Sequence, residues 1–349
     1  IKMLPKRFPS PPKDRRTTRR NERAMSRMMS ELMLKQVAEL RSFLLNYRLI
    51  PDRPNPRIDY SVLPNSVSLI VFGPAGSGKS SLIRTFYRAL HNTSTIPKEV
   101  RQQIIVKGTD RNEGTTLYTA VNLKPESAKR FNYLSNREEL GSSGIKIHDT
   151  RGQIWMDGRE INQVGLLIDG KVKDMSLVEQ RNHRYAYLLW EFWKRDCELF
   201  PAEIIKSKTG IVDKPHCILF VFDGSLDDIP NGDEETAFYR DIMQMARQRG
   251  FTYPQIVLTR VDKVEKAAES SDDAEARLRE VLDLKIESVV LKLGVPRSSV
   301  HFIENYHSDR TTPDLSVDFH VLRLLHEAVQ QGESYMQASL AEKSSCSVM

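Results

Sequence analysis

The sequence predicts an α/β fold of three layers: a mainly parallel central sheet with helices on both faces. Three observations predict it. From residue 65 onward, short β-branched runs alternate with stretches of helical periodicity, a pattern that requires crossover connections and hence parallel strands. The run "HCILFVFD" at 216 to 223 is continuously apolar through its middle, as expected of a strand buried on both faces. The glycine-rich stretch "GPAGSGKSS", 73 to 81, stands between the first such strand and a helical pattern.

Two appendages precede this domain. Residues 1 to 30 hold ten Lys and Arg against Asp14 and Glu22, a net +8 in a chain of +6, which leaves −2 for everything after residue 30. The basicity is therefore a property of one end, and nucleic acid is disfavoured as a partner of the whole chain. The proline-bearing arm at 1 to 20 is expected to be solvated and disordered, with adhesion to an anionic membrane surface as the alternative. Between 21 and 50, Met25, Met28, Met29, Leu32, Val37, Leu40 and Leu44 recur at three- and four-residue steps and predict an amphipathic helix. The prolines of "IPDRPNP" end it and begin a linker over 51 to 64.

The domain proper is expected over 65 to 332. Its strands are placed at 66–73, 116–123, 144–149, 216–223, 254–262 and 299–305, with helices near 79–91, 177–200, 234–249, 273–293 and 316–331. A helical insertion over 154 to 215 carries the aromatic run "YAYLLWEFW", which either packs on the sheet or faces a protein effector. Residues 333 to 349 read as a flexible tail. With 349 residues and 40% hydrophobic composition, the chain has enough apolar material for a sizeable core. Its three cysteines, Cys197, Cys217 and Cys346, show no paired spacing, so a reducing, cytoplasmic setting is expected. No apolar run is long enough to span a bilayer.

"GPAGSGKSS" satisfies G-x-x-x-x-G-K-[ST] with Gly73, Gly78, Lys79 and Ser80. Glycines let the backbone wrap a phosphate, so the amides of Ala75, Gly76, Ser77, Gly78 and Ser81 join the helix N-terminus in facing an anion. Lys79 is expected to reach the terminal phosphates and Ser80 to ligate Mg²⁺. Three further stretches bear on which nucleotide is bound. "IHDTRGQ", 147 to 153, ends a strand with Asp149, placed to hold a Mg²⁺-bound water, and Gly152, whose N–H would meet a γ-phosphate. "EGTT", 113 to 116, offers Thr115 or Thr116 as a further Mg²⁺ ligand, and "TRVD", 259 to 262, follows another strand.

In this order the motifs resemble those of P-loop GTPases of the translation-factor-related class. The long segments after Lys79 and after the third motif are most similar to the interferon-induced protein 44 group. The resemblance covers about residues 65 to 310 and implies a Mg²⁺-dependent switch that binds GTP and GDP. It further implies that Asp262 accepts hydrogen bonds from guanine, with Thr259 and Arg260 beside the base, although Arg260 stands where such motifs usually carry lysine. Asn305 of "FIENYHSD" is the expected side chain of a neighbouring base-contacting loop. Gln153 stands where Ras-like enzymes hold the glutamine that orients the attacking water, and Lys79 would assist transfer. Adjacent Arg151 either steadies transition-state charge or faces solvent.

Two other functions remain open on sequence alone. A P-loop ATPase or kinase would use Asp223, at the end of "CILFVFD", as its Mg²⁺-site carboxylate. An interaction protein would bind GTP without appreciable turnover. The last four residues, "CSVM", match a farnesylation signal on Cys346, and the basic arm would supply the second element that one prenyl group needs to hold a membrane.

Overall fold

The computed structural model describes residues 15–49, 63–104, 117–125, 130–132, 137–139, 143–153, 156–174, 176–177, 202–252, 254–269, 273–306 and 312–346. Thr115, Thr116, the aromatic run at 185 to 193, most of the proline linker, the start of the basic arm and the final three residues lie outside them.

The centre of the molecule is β1 (Ser66–Phe72), seven residues without a solvent-facing position. It lies between β5 (Gly144–Asp149) and β7 (Cys217–Asp223), parallel to both. Two more parallel strands, β8 (Gln255–Thr259) and β9 (Val300–Ile303), follow on the β7 side. On the other side β2 (Leu117–Lys124) pairs antiparallel with β5, and the two-residue β6 (Ser176–Leu177) closes that edge. The order is β6-β2-β5-β1-β7-β8-β9. A separate short pair, β3 (Arg130–Asn132) and β4 (Arg137–Glu139), is antiparallel. The large sheet, its single reversed neighbour of β5 and the glycine loop after β1 together make the P-loop NTPase fold.

Strand alternation divides the core in two. Val67, Leu69 and Val71 of β1, with Leu219 and Val221 of β7, face α1 (Arg15–Leu45), α2 (Lys79–His91) and α8 (Leu315–Cys346). Ile70 and Phe72, with Phe220 and Phe222, face α4 (Gly158–Ile168), α5 (Gly232–Gln248) and α7 (Ala274–Leu293). Tyr239 of α5 is fully buried there and meets Phe220, Phe222 and Phe238 edge-on at ring separations of 6.0, 4.8 and 5.2 Å. Two short helices complete the described elements used below: α3 (Lys98–Gln103) and α6 (Val261–Ala268).

Three boundaries differ from the sequence expectation. α1 starts at Arg15, inside the stretch expected to be a disordered arm. α8 continues through the expected flexible tail, because Met336 and Leu340 are apolar, helically spaced with the preceding core residues, and buried. Strand β8 stops at Thr259, and the chain turns through Arg260, at φ +61°, into α6. The helix α1 is also not an appendage: its Val37 and Leu44, with Tyr47 just beyond its end, belong to the same buried cluster as β1 and β7. Arg41 fixes it by donating to Ala89 O at 2.9 Å and to Asp318 Oδ2 at 2.9 Å.

Leu44 is fully buried in this cluster, so Leu44→Ala should destabilise the domain by about 2–5 kcal/mol. In urea unfolding the midpoint should fall with the slope unchanged; an unaltered midpoint would mean that α1 is a detachable extension.

Candidate functional site

At the carboxyl end of β1 the chain must turn beside β7 with almost no room. Gly73 takes φ +151°, and a Cβ there would lie 2.0 Å from Val221 O, so only glycine fits. The loop then reaches α2, where Lys79 is buried and its ammonium donates to Gly73 O at 2.9 Å and Pro74 O at 2.8 Å. The lysine thus folds over the loop whose anion it is expected to bind. Ser80, on the next turn position, donates to Asp149 Oδ2 at 2.6 Å.

The third motif lies directly on this loop. Pro74 and Gln153 form a parallel bridge, with Ala75 N–H donating to Gln153 O at 3.1 Å and Gln153 N–H to Gly73 O at 3.2 Å. Gly152 makes the approach possible, since a Cβ on it would stand 2.5 Å from Ala75 Cα. The Gln153 side chain is buried: its Oε1 accepts from Gly73 N–H at 2.8 Å and Tyr239 OH at 3.2 Å, while its amide donates to Arg151 O at 3.2 Å. In this ligand-free arrangement the glutamine is held by the loop rather than presented to a water. All three bonds hold the loop, and the side chain faces backbone and core. Arg151, too, is buried rather than solvent-facing, with Glu160 the charge acting on it.

The fourth motif is tied to the same loop from the other side. Thr259 Oγ1 donates to Ser77 O at 2.7 Å and to Phe222 O at 3.1 Å. Arg260 Nη2 donates to Gly76 O at 2.7 Å, and its Nη1 pairs with Asp223. The left-handed backbone of Arg260 sends its side chain back to the phosphate loop while the chain moves on, placing Asp262 in the first turn of α6. Asn305, just after β9, donates to Gly78 O at 3.3 Å. Its neighbour Tyr306 donates its N–H to Thr85 Oγ1 at 3.0 Å, and the Arg88 guanidinium lies over its ring at 4.1 Å. Gly73, Ala75, Gly76, Ser77, Gly78, Lys79, Ser80, Gly152, Thr259, Arg260 and Asn305 are therefore brought to one loop, and Ser81 follows in the first turn of α2.

Sequence reading missed two supports. Tyr239 holds Gln153, and Thr85 holds the backbone of Tyr306 beside Asn305; both lie on helices whose periodicity announced only core packing. A cleft of about 700 Å³ opens beside the loop, lined by Pro74, Gly76, Ser77, Asp223, Glu234 and Lys263 among others. Lys79, Ser80 and Asp149 do not line it, so it adjoins the anion cradle rather than being it.

Three buried side-chain oxygens at the loop, Ser77 Oγ, Asp149 Oδ1 and Asn305 Oδ1, have no hydrogen-bond partner among the described residues. Buried polar atoms of this kind call for a ligand. For Mg²⁺ the donor chemistry fits: a serine hydroxyl and a carboxylate with one oxygen unsatisfied, both hard oxygen ligands. Among the described residues no cluster of three His, Cys, Asp or Glu forms a metal cage, as a cation completed by phosphate oxygens and water would not need one. Asp223, the alternative Mg²⁺ carboxylate, is occupied by Arg260 and by Ser225, whose hydroxyl reaches it at 2.6 Å.

Burial dominates the site's protonation. It pushes the Lys79 ammonium down to about 8, against the pull of Asp149 and Glu160. It raises the Asp149 carboxyl to about 6, against the Ser80 hydrogen bond and Lys79. Both charges are held at a cost that an anion and a cation would relieve.

No protein-family profile matches this chain, and no curated protein matches it. Solved structures do. One is the signal recognition particle receptor SRb-GTP/SRX complex from Chaetomium thermophilum, 13% identical over 77% of this chain and 99% of that one, TM-score 0.32. Another is the S. cerevisiae Ski7 GTPase-like domain, bound to GDP and inorganic phosphate, 13% identical over 76% of this chain, TM-score 0.36. The chain spans half the length of that second structure. The resemblance to the interferon-induced protein 44 group finds no support in these comparisons.

Two outcomes follow from the geometry. Gln153→Leu should remove the acceptor of Gly73 N–H and Tyr239 OH, destabilising the protein by about 1–3 kcal/mol, while any single-turnover nucleotide hydrolysis changes by less than about tenfold. A large loss of hydrolysis at unchanged melting temperature would restore the water-orienting role. Asp149→Asn should make the ligand-free protein more stable at pH 7, by an amount of order 1 kcal/mol. The folded carboxyl, raised to about 6, binds its proton more tightly than the unfolded one, so its penalty is complete above pH 6 and absent below about pH 4. Melting curves of the two proteins should accordingly converge in acid.

Proposed function

We propose that this chain is a guanine-nucleotide-binding protein of the P-loop GTPase kind, using Mg²⁺, whose hydrolysis without a partner is slow. The observation that carries the reading is the strap from "TRVD" to the phosphate loop. Thr259 and Arg260 bond the carbonyls of Ser77 and Gly76, so the turn that presents Asp262 is fixed relative to the phosphates. A carboxylate presented by that turn reads the base by accepting from guanine N1–H and N2–H₂, which adenine does not offer. Discrimination then arises because a carboxylate desolvated by the wrong base goes unpaired.

The cradle performs the remaining work. The α2 N-terminus faces the phosphates; the Ala75 and Ser77 amides exchange their bonds to Gln153 O and Pro74 O, and Lys79 its bonds to Gly73 and Pro74, for phosphate oxygens. Ser80 and Asp149 would hold Mg²⁺, which supplies charge neutralisation across the terminal phosphates. Arg260 does the positioning expected of the usual lysine, with Asp223 locking its guanidinium. Slow turnover follows from Gln153: its side chain is spent on the loop, and among the described residues no other side chain takes its place. The ATPase or kinase alternative is disfavoured by the Arg260 pairing of Asp223, which removes that carboxylate from Ser80.

Titration with fluorescent GTP and ATP should show preference for GTP. Asp262→Asn should weaken GTP by about 100-fold or more and gain xanthosine triphosphate, whose extra carbonyl the amide can serve. Unchanged GTP affinity, or wild-type preference for ATP, would overturn the assignment.

A further inference from the structure

We infer that the N-terminal half of α1 is a cationic amphipathic surface that docks reversibly onto an anionic lipid bilayer. The two halves of this helix differ. From Val37 onward it is bound into the domain, with Val37 and Leu44 buried. Before Val37, Met28, Met29, Leu32 and Leu34 are 64, 60, 57 and 61% exposed, and Met33 is half-buried.

Their spacing is ordered. Met25, Met28, Met29 and Leu32 stand at i, i+3, i+4 and i+7, one stripe of a helix. Arg16, Arg19, Arg20, Arg23 and Arg27 stand at i, i+3, i+4, i+7 and i+11, a second stripe that falls on roughly the opposite side at 3.6 residues per turn. By position, an arginine stripe opposite a methionine and leucine stripe, with Leu34 as the one apolar residue on the arginine side, is the pattern of a helix that lies in an interface, its apolar stripe among acyl chains and its cations at the headgroups. Charge complementarity selects an anionic surface, since the net +8 of residues 1 to 30 contrasts with −2 for the rest of the chain.

A bilayer suits the geometry better than a groove in an acidic protein. A groove encloses its helix, whereas α1 is already held along its later turns by α2 and α8. Only the leading half can meet a flat surface. Among the described residues no helix is long and apolar enough to cross a membrane, so the contact is interfacial. It is also independent of Cys346. Arg41 meets Asp318, Phe43 meets His326 edge-on at 4.6 Å, and Tyr47 reaches Glu333. α1 and α8 therefore run in the same sense where they touch, and α8 carries Cys346 away from the exposed half.

The test is flotation of the full chain, produced without lipid modification, on vesicles of neutral phosphatidylcholine and on vesicles with about 30 mol% phosphatidylserine. Binding to the anionic vesicles should be at least about tenfold tighter and should fall steeply by about 0.5 M salt. Combined Met28→Ser, Met29→Ser and Leu32→Ser should weaken it at least about tenfold with the melting temperature retained, because these side chains are exposed; Cys346→Ser should leave it unchanged. Equal binding to both vesicles, binding to neither, or undiminished binding by the folded triple variant overturns the inference. Capture by an acidic protein without vesicle binding overturns it as well.

Discussion

The arrangement of the site depends on one constraint: the polar backbone groups of the tightly turned glycine loop need partners, and its carbonyls find theirs elsewhere in the chain. Those partners are supplied from several strand ends. Gln153 N–H takes Gly73 O, Thr259 takes Ser77 O, Arg260 takes Gly76 O, and Asn305 takes Gly78 O. Each such bond is worth only about 1 kcal/mol net, but together they fix a backbone that glycines would otherwise leave free. The sheet order makes this possible, because β1 lies between β5 and β7, and β8 and β9 follow in parallel, so all these loops emerge at one edge.

The same constraint accounts for where two motif side chains are held. Gln153 is drawn into the loop by Gly73 N–H below and Tyr239 above. Arg260 is drawn to Gly76 O by a left-handed turn, and Asp223 neutralises it. A flexible lysine could make the first contact, but the forked guanidinium makes both at once. Both side chains thereby add rigidity to the glycine loop.

A second set of contacts joins α1 to the far side of the site. Arg41 bonds Asp318, whose other oxygen accepts from Tyr306 OH at 2.7 Å, and Tyr306 adjoins Asn305. Burial raises the Asp318 carboxyl while the bonds from Tyr306 and Arg41 hold it down. The helix that presents the exposed Met and Leu stripe is thus mechanically continuous with the loop beside Gly78.

Much of this was legible in the amino-acid order. The alternation of β-branched runs with helical periods determined the fold class, and "GPAGSGKSS", "DTRGQ" and "TRVD" determined which strand ends matter, because local spacing alone fixes loop geometry and strand burial. Three things were decided only by tertiary structure. The extent of α8 depended on a core that Met336 and Leu340 could enter; the place of α1 inside the domain depended on the hydrophobic gap between α2 and α8. The orientation of Gln153 depended on Tyr239, 86 residues away. A side chain's direction follows from whichever partner packing brings within reach, and sequence spacing does not contain that distance.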